Sequence, residues 1–180
     1  MPEIQIRPAV AEDISKLVEL DHDYVSDYVW QMDIHQTEDE QIDVNFRQVH
    51  LPRSIKVDYP RSPASLSEDW SKRSGLLVAE LQGEVIGYIS LMLDIAPLTT
   101  WVTDLAVMRR YRRQGVGSAL LIAAQEWGRK HRTNRLVLEM QPKNYPAISQ
   151  ARKLGFSFCG YHDRYYPNHD IAIFFEKALR

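Results

Sequence analysis

Apolar residues recur along this chain at two spacings, and the alternation between them predicts its elements. Ile4 to Arg7 reads as a short strand, and from Pro8 a helix is predicted with Ile14, Leu17 and Val18 on one face. Tyr24, Val25, Tyr28 and Val29 suggest a second helix. Pro52, Pro60, Pro63 and the cluster Arg61-Ser62-Pro63-Ala64-Ser65 predict loop up to about Ser71. Leu76–Leu81 and Glu84–Leu93 are strand-like and meet at Gln82-Gly83, a hairpin turn. Trp101–Val107 is a further strand. A helix follows from about Ser118 to His131, with Leu120, Leu121, Ala124 and Trp127 at helical spacing and Arg129, Lys130 and His131 at its negative end. Leu136–Met140 is a strand and Ala147–Lys153 a short helix closed by Gly155. Two strands near Phe156–Tyr161 and Asp170–Glu176 end the chain. Strands and helices interleave, so the class is mixed α/β.

Length and charge narrow this picture. With 180 residues the chain fits one domain, and a net charge of -2 offers no general attraction to nucleic acid or to an anionic membrane. No run approaches the roughly 20 apolar residues of a membrane helix, and the N-terminus lacks the pattern of a signal peptide. The one cysteine, Cys159, excludes an internal disulfide, suits a reducing cytoplasm, and is expected as a buried, inert thiol. The charges are unevenly placed. Asp21–Asp58 carries nine acids against three Lys/Arg, and Arg109–Arg135 carries eight Lys/Arg against the single acid Glu126. Solvated faces account for either run alone; together they suit an anionic cofactor and a cationic substrate. The six histidines show no metal-ligand spacing, so no metal is expected.

The most specific chemical signal is Asp104-Leu105-Ala106-Val107, then Arg112-Arg113-Gln114-Gly115-Val116-Gly117-Ser118, then a helix. Glycines let backbone N–H groups turn toward a ligand, and the helix adds unpaired amides and the positive end of its dipole. A phosphate fits such a place, although a glycine turn before an ordinary helix has the same outline. A P-loop would need Gly-Lys-Ser/Thr, and the loop has no such lysine. A dinucleotide fingerprint would need Gly or Ala where Leu120 stands.

The loop resembles that of the GNAT acetyltransferase family, Arg/Gln-x-x-Gly-x-Gly/Ala after a strand, matched by Arg112, Gly115 and Gly117. A second block, Asn144, Ala147 and Leu154-Gly155-Phe156, matches at the usual distance, and the resemblance covers nearly the whole chain. It implies a three-layer fold whose twisted, mostly antiparallel sheet splays between the Trp101–Val107 and Leu136–Met140 strands to admit acetyl-CoA. It implies that Arg112 to Ser118 hold the pyrophosphate, with the amides of Arg113 to Ser118 as donors. The edge of Leu105, Ala106 and Val107 would pair with the pantetheine arm, and Asn144 would lie beside it. Within the family, Leu138-Glu139-Met140-Gln141 and Asp170–Phe175 look most like streptothricin acetyltransferases, leaving residues 21–71 as a variable acceptor-side segment.

Many members carry a tyrosine four residues before the Gly-Phe pair, suited to protonate the CoA thiolate; here Ala151 stands there. The thiolate leaves unaided, or Tyr145, Tyr161 or Tyr165 serves it, or the protein binds acyl-CoA with little turnover. The acceptor must also lose a proton. An amine of pKa about 10.4 is neutral in only about one part in 2,500 at pH 7, a cost near 4.6 kcal/mol. Glu139 and Asp104, on strands flanking the expected splay, are the candidate acceptors of that proton, each equally readable as a structural carboxylate. The expected reaction is direct acetyl transfer to a primary amine of a cationic small molecule, with a protein N-terminus or lysine as the other acceptor class. No nucleic-acid or membrane partner is expected, and a homodimer is allowed.

Overall fold

A computed structural model describes residues 3–180. Its main sheet has seven strands in the order β1-β4-β5-β6-β7-β9-β8, every neighbouring pair antiparallel except β6 and β7. The strands are β1 (Gln5–Pro8), β4 (Gly75–Leu81), β5 (Glu84–Met92), β6 (Thr99–Val107), β7 (Arg135–Met140), β8 (Ser157–His162) and β9 (Ala172–Ala178). Gln82 and Gly83 both have positive φ (51° and 83°), the conformation of a tight two-residue hairpin. Helix α3 (Val116–Lys130) and α4 (Tyr145–Lys153) cover one face, burying Leu120, Leu121, Ala124 and Ile148 against Leu77, Ile89 and Leu136. On the other face α1 (Ile14–Val18) and α2 (Ser65–Asp69) pack Ile14, Leu17 and Leu66 on Val78, Val85 and Tyr88. The expected three-layer, mostly antiparallel arrangement is therefore present.

Four expectations are overturned. The segment read as a second helix is a strand, β2 (Tyr24–Gln36), paired antiparallel with β3 (Ile42–Val57) in a separate two-stranded sheet. A spacing of four places residues on one face of a helix and of a strand alike. The β-branched and aromatic side chains favour the strand. Pro52 also lies within β3 rather than in a loop. Four residues of β3, Leu51 to Ser54, bulge opposite Asp27 alone, and the missing proline N–H costs no ladder bond there. The first helix is likewise shorter than predicted, since Pro8 belongs to β1 and the turn at Ala11–Asp13 precedes α1. Cys159 is exposed on the edge strand β8 rather than buried, although partial desolvation still pushes its thiol up to about 11.

The splay is in place. β6 and β7 pair from Thr99↔Arg135 to Val102↔Leu138, and no pair follows. At that point Thr103 is an extra residue relative to β5, since Ser90 faces Asp104 while Leu91 faces Val102. The bulge reverses the faces of β6: Val102 packs under α3, whereas Ala106 packs on the α1–α2 side.

Candidate acyl-transfer site

The unpaired halves of β6 and β7 border a cleft of about 610 Å³, including its open mouth. Thr103, Asp104 and Leu105 line one side, Glu139 and Met140 the other, with Asn144 and Gln150 from α4. Met108 donates its N–H to the Ile86 carbonyl (2.8 Å), so by the alternation of an antiparallel ladder Val107 and Leu105 turn their N–H and C=O groups away from β5, into the splay. Arg112 Nε takes the Val107 carbonyl (2.8 Å), and the remaining groups are open to an extended ligand arm. Asn144 accepts from the Ala147 N–H through Oδ1 (3.2 Å), capping α4 and leaving its amide donors for a ligand.

Below the splay, Gly115 is the N-cap of α3 with φ +88°, and Arg113 also has positive φ (65°). No side chain caps this end, so the first amides of α3 are unpaired and available to an anion. A Cβ on Gly117 would lie 2.6 Å from Gln150 Nε2, showing how closely α4 approaches the loop. These features fit a pyrophosphate. The arginines around the loop divide in a way the residue pattern did not indicate. Arg109 pairs with Asp23 (2.9 Å) and Arg110 with Glu84. Arg112 spends its guanidinium on the carbonyls of Val107, Asp23 (2.8 Å) and Asp21, stapling the loop to the chain ahead of β2. Arg113 is exposed and makes no ion pair among the described residues.

At the other end, both expected carboxylates are present and both are enclosed. The Glu139 side chain has no exposed surface and accepts from Arg61, Trp101 Nε1 and the Tyr165 hydroxyl (2.8 Å). Asp104 accepts from Arg73 (2.9 Å), Thr103 Oγ1 (2.9 Å) and the Tyr59 hydroxyl. Arg61 also donates to the Thr103 carbonyl (3.0 Å), so it bridges β6 and β7 just where their pairing stops. Its guanidinium carbon lies 5.0 Å from the Tyr166 ring centre. Burial opposes its charge, but Glu139 and Asp104 outweigh that and raise its pKa. Burial and Asp104 likewise hold the Tyr59 phenol well above its usual range. Tyr59, Arg61, Arg73 and Tyr166 have no local pattern in the sequence: the first two lie in the segment predicted as loop, Arg73 just after it, and Tyr166 in the β8–β9 connection. Only their chemistry, a cation or phenol facing a predicted carboxylate, could have pointed to them.

A family profile described as the acetyltransferase (GNAT) family matches residues 37–156. The chain belongs to the GNAT acetyltransferase family. Among curated relatives, an N-alpha-acetyltransferase of Sulfurisphaera tokodaii is 33% identical over 59% of this chain and 70% of its own length. A streptothricin acetyltransferase of Streptomyces lavendulae is 29% identical over 52% of this chain and 49% of its own length. Solved structures with the same fold include a nourseothricin acetyltransferase (TM-score 0.81, 24% identity, covering 98% of this chain and 99% of that one). A Bacillus anthracis protein in complex with acetyl coenzyme A is also similar (TM-score 0.75, 20% identity, covering 98% and 99%). As a GNAT acetyltransferase the chain uses acetyl-CoA, and among its described residues no helix is long and apolar enough to cross a membrane.

Proposed function

We propose that this GNAT acetyltransferase transfers acetyl from acetyl-CoA to a primary amine of a cationic small molecule, by direct attack in a ternary complex. The observation that carries the reading is the caging of Arg61, a cation held between the Glu139 carboxylate and the Tyr166 ring at the cleft wall. Aromatic faces beside a carboxylate are the chemistry that also accepts an ammonium group. The streptothricin and nourseothricin acetyltransferases among its relatives support the same acceptor class. On the donor side, the amides from Arg113 to Ser118 hold the pyrophosphate, Leu105, Ala106 and Val107 pair with the pantetheine arm, and Asn144 lies beside it. Glu139 or Asp104 accepts the amine proton, directly or through water. Residues 21–71 form the acceptor side, as Tyr24, Tyr59 and Arg61 line the cleft. We place the reaction in the cytoplasm, without nucleic acid or membrane as partner.

A second reading, acetylation of protein N-termini, is favoured by the 33% identity to an N-alpha-acetyltransferase. One screen separates them: release of CoA thiol with polyamines, aminoglycosides, streptothricin-like amines and peptides with free N-termini. Turnover of a cationic small molecule well above every peptide is expected. Preference for a peptide would establish the second reading, and no turnover with any amine would sink both.

A further inference from the structure

We infer that the Tyr166 hydroxyl is the hydrogen-bond donor that meets the departing CoA sulfur, a catalytic place that Ala151 leaves open. The inference rests on the acetyl-transfer reading above. The other tyrosines near the site lie off the cleft or spend their hydroxyls on other partners. Tyr145 packs on Tyr28 (ring centres 4.6 Å apart) and Tyr161 on Phe46 (5.5 Å), and neither lines the cleft. The Tyr165 hydroxyl donates to Glu139 (2.8 Å). Of the three tyrosines that line the cleft, Tyr24 donates to Gln141 Oε1 (2.6 Å) and Tyr59 to Asp104. The Tyr166 hydroxyl has no partner among the described residues. Its residue is only 3% exposed and lines the cleft that Leu105 and Asn144 also line.

The ring cannot swing away easily. Arg61 lies against its face, the Tyr166 N–H donates to the Asp170 carbonyl (3.2 Å), and its carbonyl accepts from the His169 N–H (2.8 Å). Burial and the Glu139 charge raise the phenol far above its usual range, so it keeps its proton at working pH. It therefore acts by donating a hydrogen bond, not by surrendering the proton. In the transfer the amine nitrogen forms a C–N bond to the thioester carbon. The C–S bond breaks and its electron pair leaves on sulfur. The proton lost by nitrogen passes to Glu139 or Asp104, directly or through water, and finally to the sulfur, so amine and acetyl-CoA give amide and CoA thiol. Tyr166 faces the sulfur while it is anionic.

The variant Tyr166→Phe removes one oxygen and keeps the ring. A hydrogen bond to a charged atom predicts a fall in kcat of about 10- to 150-fold, with both KM values within about twofold of wild type. With acetyl-seleno-CoA, whose selenolate leaves without help, the deficit should shrink to less than about threefold. Calorimetry gives a readout independent of turnover. From pH 7 to pH 10, as a thiol of pKa about 8.5 ionises, wild type should gain affinity for CoA by about tenfold and Tyr166→Phe should not. Desulfo-CoA should bind both proteins equally. An unchanged kcat, an equal deficit with both donors, or a raised acceptor KM alone would overturn the assignment. If wild type acetylates no amine while the pH-dependent difference in CoA affinity persists, the acetyl-transfer reading fails and the contact between Tyr166 and sulfur stands.

Discussion

Glu139 and Asp104 each have three donors around them, which fill three of the roughly four lone-pair sites a carboxylate offers. Their use as proton acceptors therefore requires the amine, or a water on it, to take the last open lone pair. Glu139→Gln should lower kcat/KM most near neutral pH, and the deficit should shrink toward pH 9 as the amine loses its proton unaided. A pH–rate profile superimposable on wild type, in this variant and in Asp104→Asn, would remove both residues from the proton path. Glu139→Gln also leaves Arg61 largely buried without its counter-charge, and a loss of about 3 kcal/mol in urea denaturation is expected. A buried histidine packs on Tyr59, the phenol that donates to Asp104. His22 donates from Nδ1 to the Leu20 carbonyl (2.7 Å) and meets the Tyr88 hydroxyl through Nε2 (3.0 Å), and burial lowers its pKa. The unfolded chain then binds a proton near pH 6.5 that the folded chain refuses, so stability present above that pH is lost as pH falls. Wild type should lose more in Tm between pH 7.5 and pH 5.5 than His22→Gln; equal losses would remove His22 from that dependence.

Among elements, the start of α3 is the one whose role depends most on backbone. Gly115 has open space around its missing Cβ, so sterics alone would tolerate a side chain, but its φ of +88° would not. Gly115→Asp adds both strain and a negative charge beside the helix amides, and Gly117→Asp pushes the same charge against Gln150. Each should weaken CoA binding by at least about 100-fold in calorimetry, more than a single lost charged hydrogen bond would. Unaltered affinity in both would move the pyrophosphate elsewhere. This element was legible in the sequence because glycines at fixed spacing before an amphipathic helix state a backbone requirement directly. The β2–β3 hairpin was not, since Tyr24/Tyr28 and Val25/Val29 satisfy two periods at once. What selects the strand is tertiary: Trp30 packs on Phe175 (ring centres 5.5 Å apart), Phe46 on Phe158 (5.2 Å), and the backbone N–H of Trp30 donates to the Pro142 carbonyl (3.0 Å). The carboxylates were legible as candidates, whereas their arginine and phenol partners come from distant chain and had no local signature.

Across the whole molecule, the uneven charge seen in the sequence is partly spent within the fold. Asp21 and Asp23 face Arg109, Asp33 faces Arg47, and Asp27 accepts from Ser54. Glu38, Asp39 and Glu40 sit at the turn of the hairpin, which the length of β2 carries about 40 Å along the strand from Tyr24 at the cleft. Screening over roughly 8 Å at physiological salt leaves those tip acids no direct hold on an acceptor in the cleft. If the acceptor is a polycation, its rate should fall with added salt more steeply than that of a singly charged amine, and replacing Glu38, Asp39 and Glu40 by glutamine should leave that difference intact. Loss of the difference in the tip variant would return recognition to the hairpin turn. Equal salt sensitivity for the two acceptors would argue against charge-based recognition altogether.

The bridge that Arg61 makes across the splay divides the inheritance of the protein. β6, the loop into α3, α4 and Tyr166 of the β8–β9 connection supply the groups assigned to the donor. Tyr24, Tyr59 and Arg61, at the two ends of a hairpin outside the main sheet, furnish the opposite wall. Drift in residues 24–61 can thus remodel one wall without disturbing the other, provided the newcomer still offers Glu139 a cation and Asp104 a phenol. Such a chain is built to keep its currency while changing its customers, and a graft of this segment between relatives is the natural unit in which to move acceptor choice.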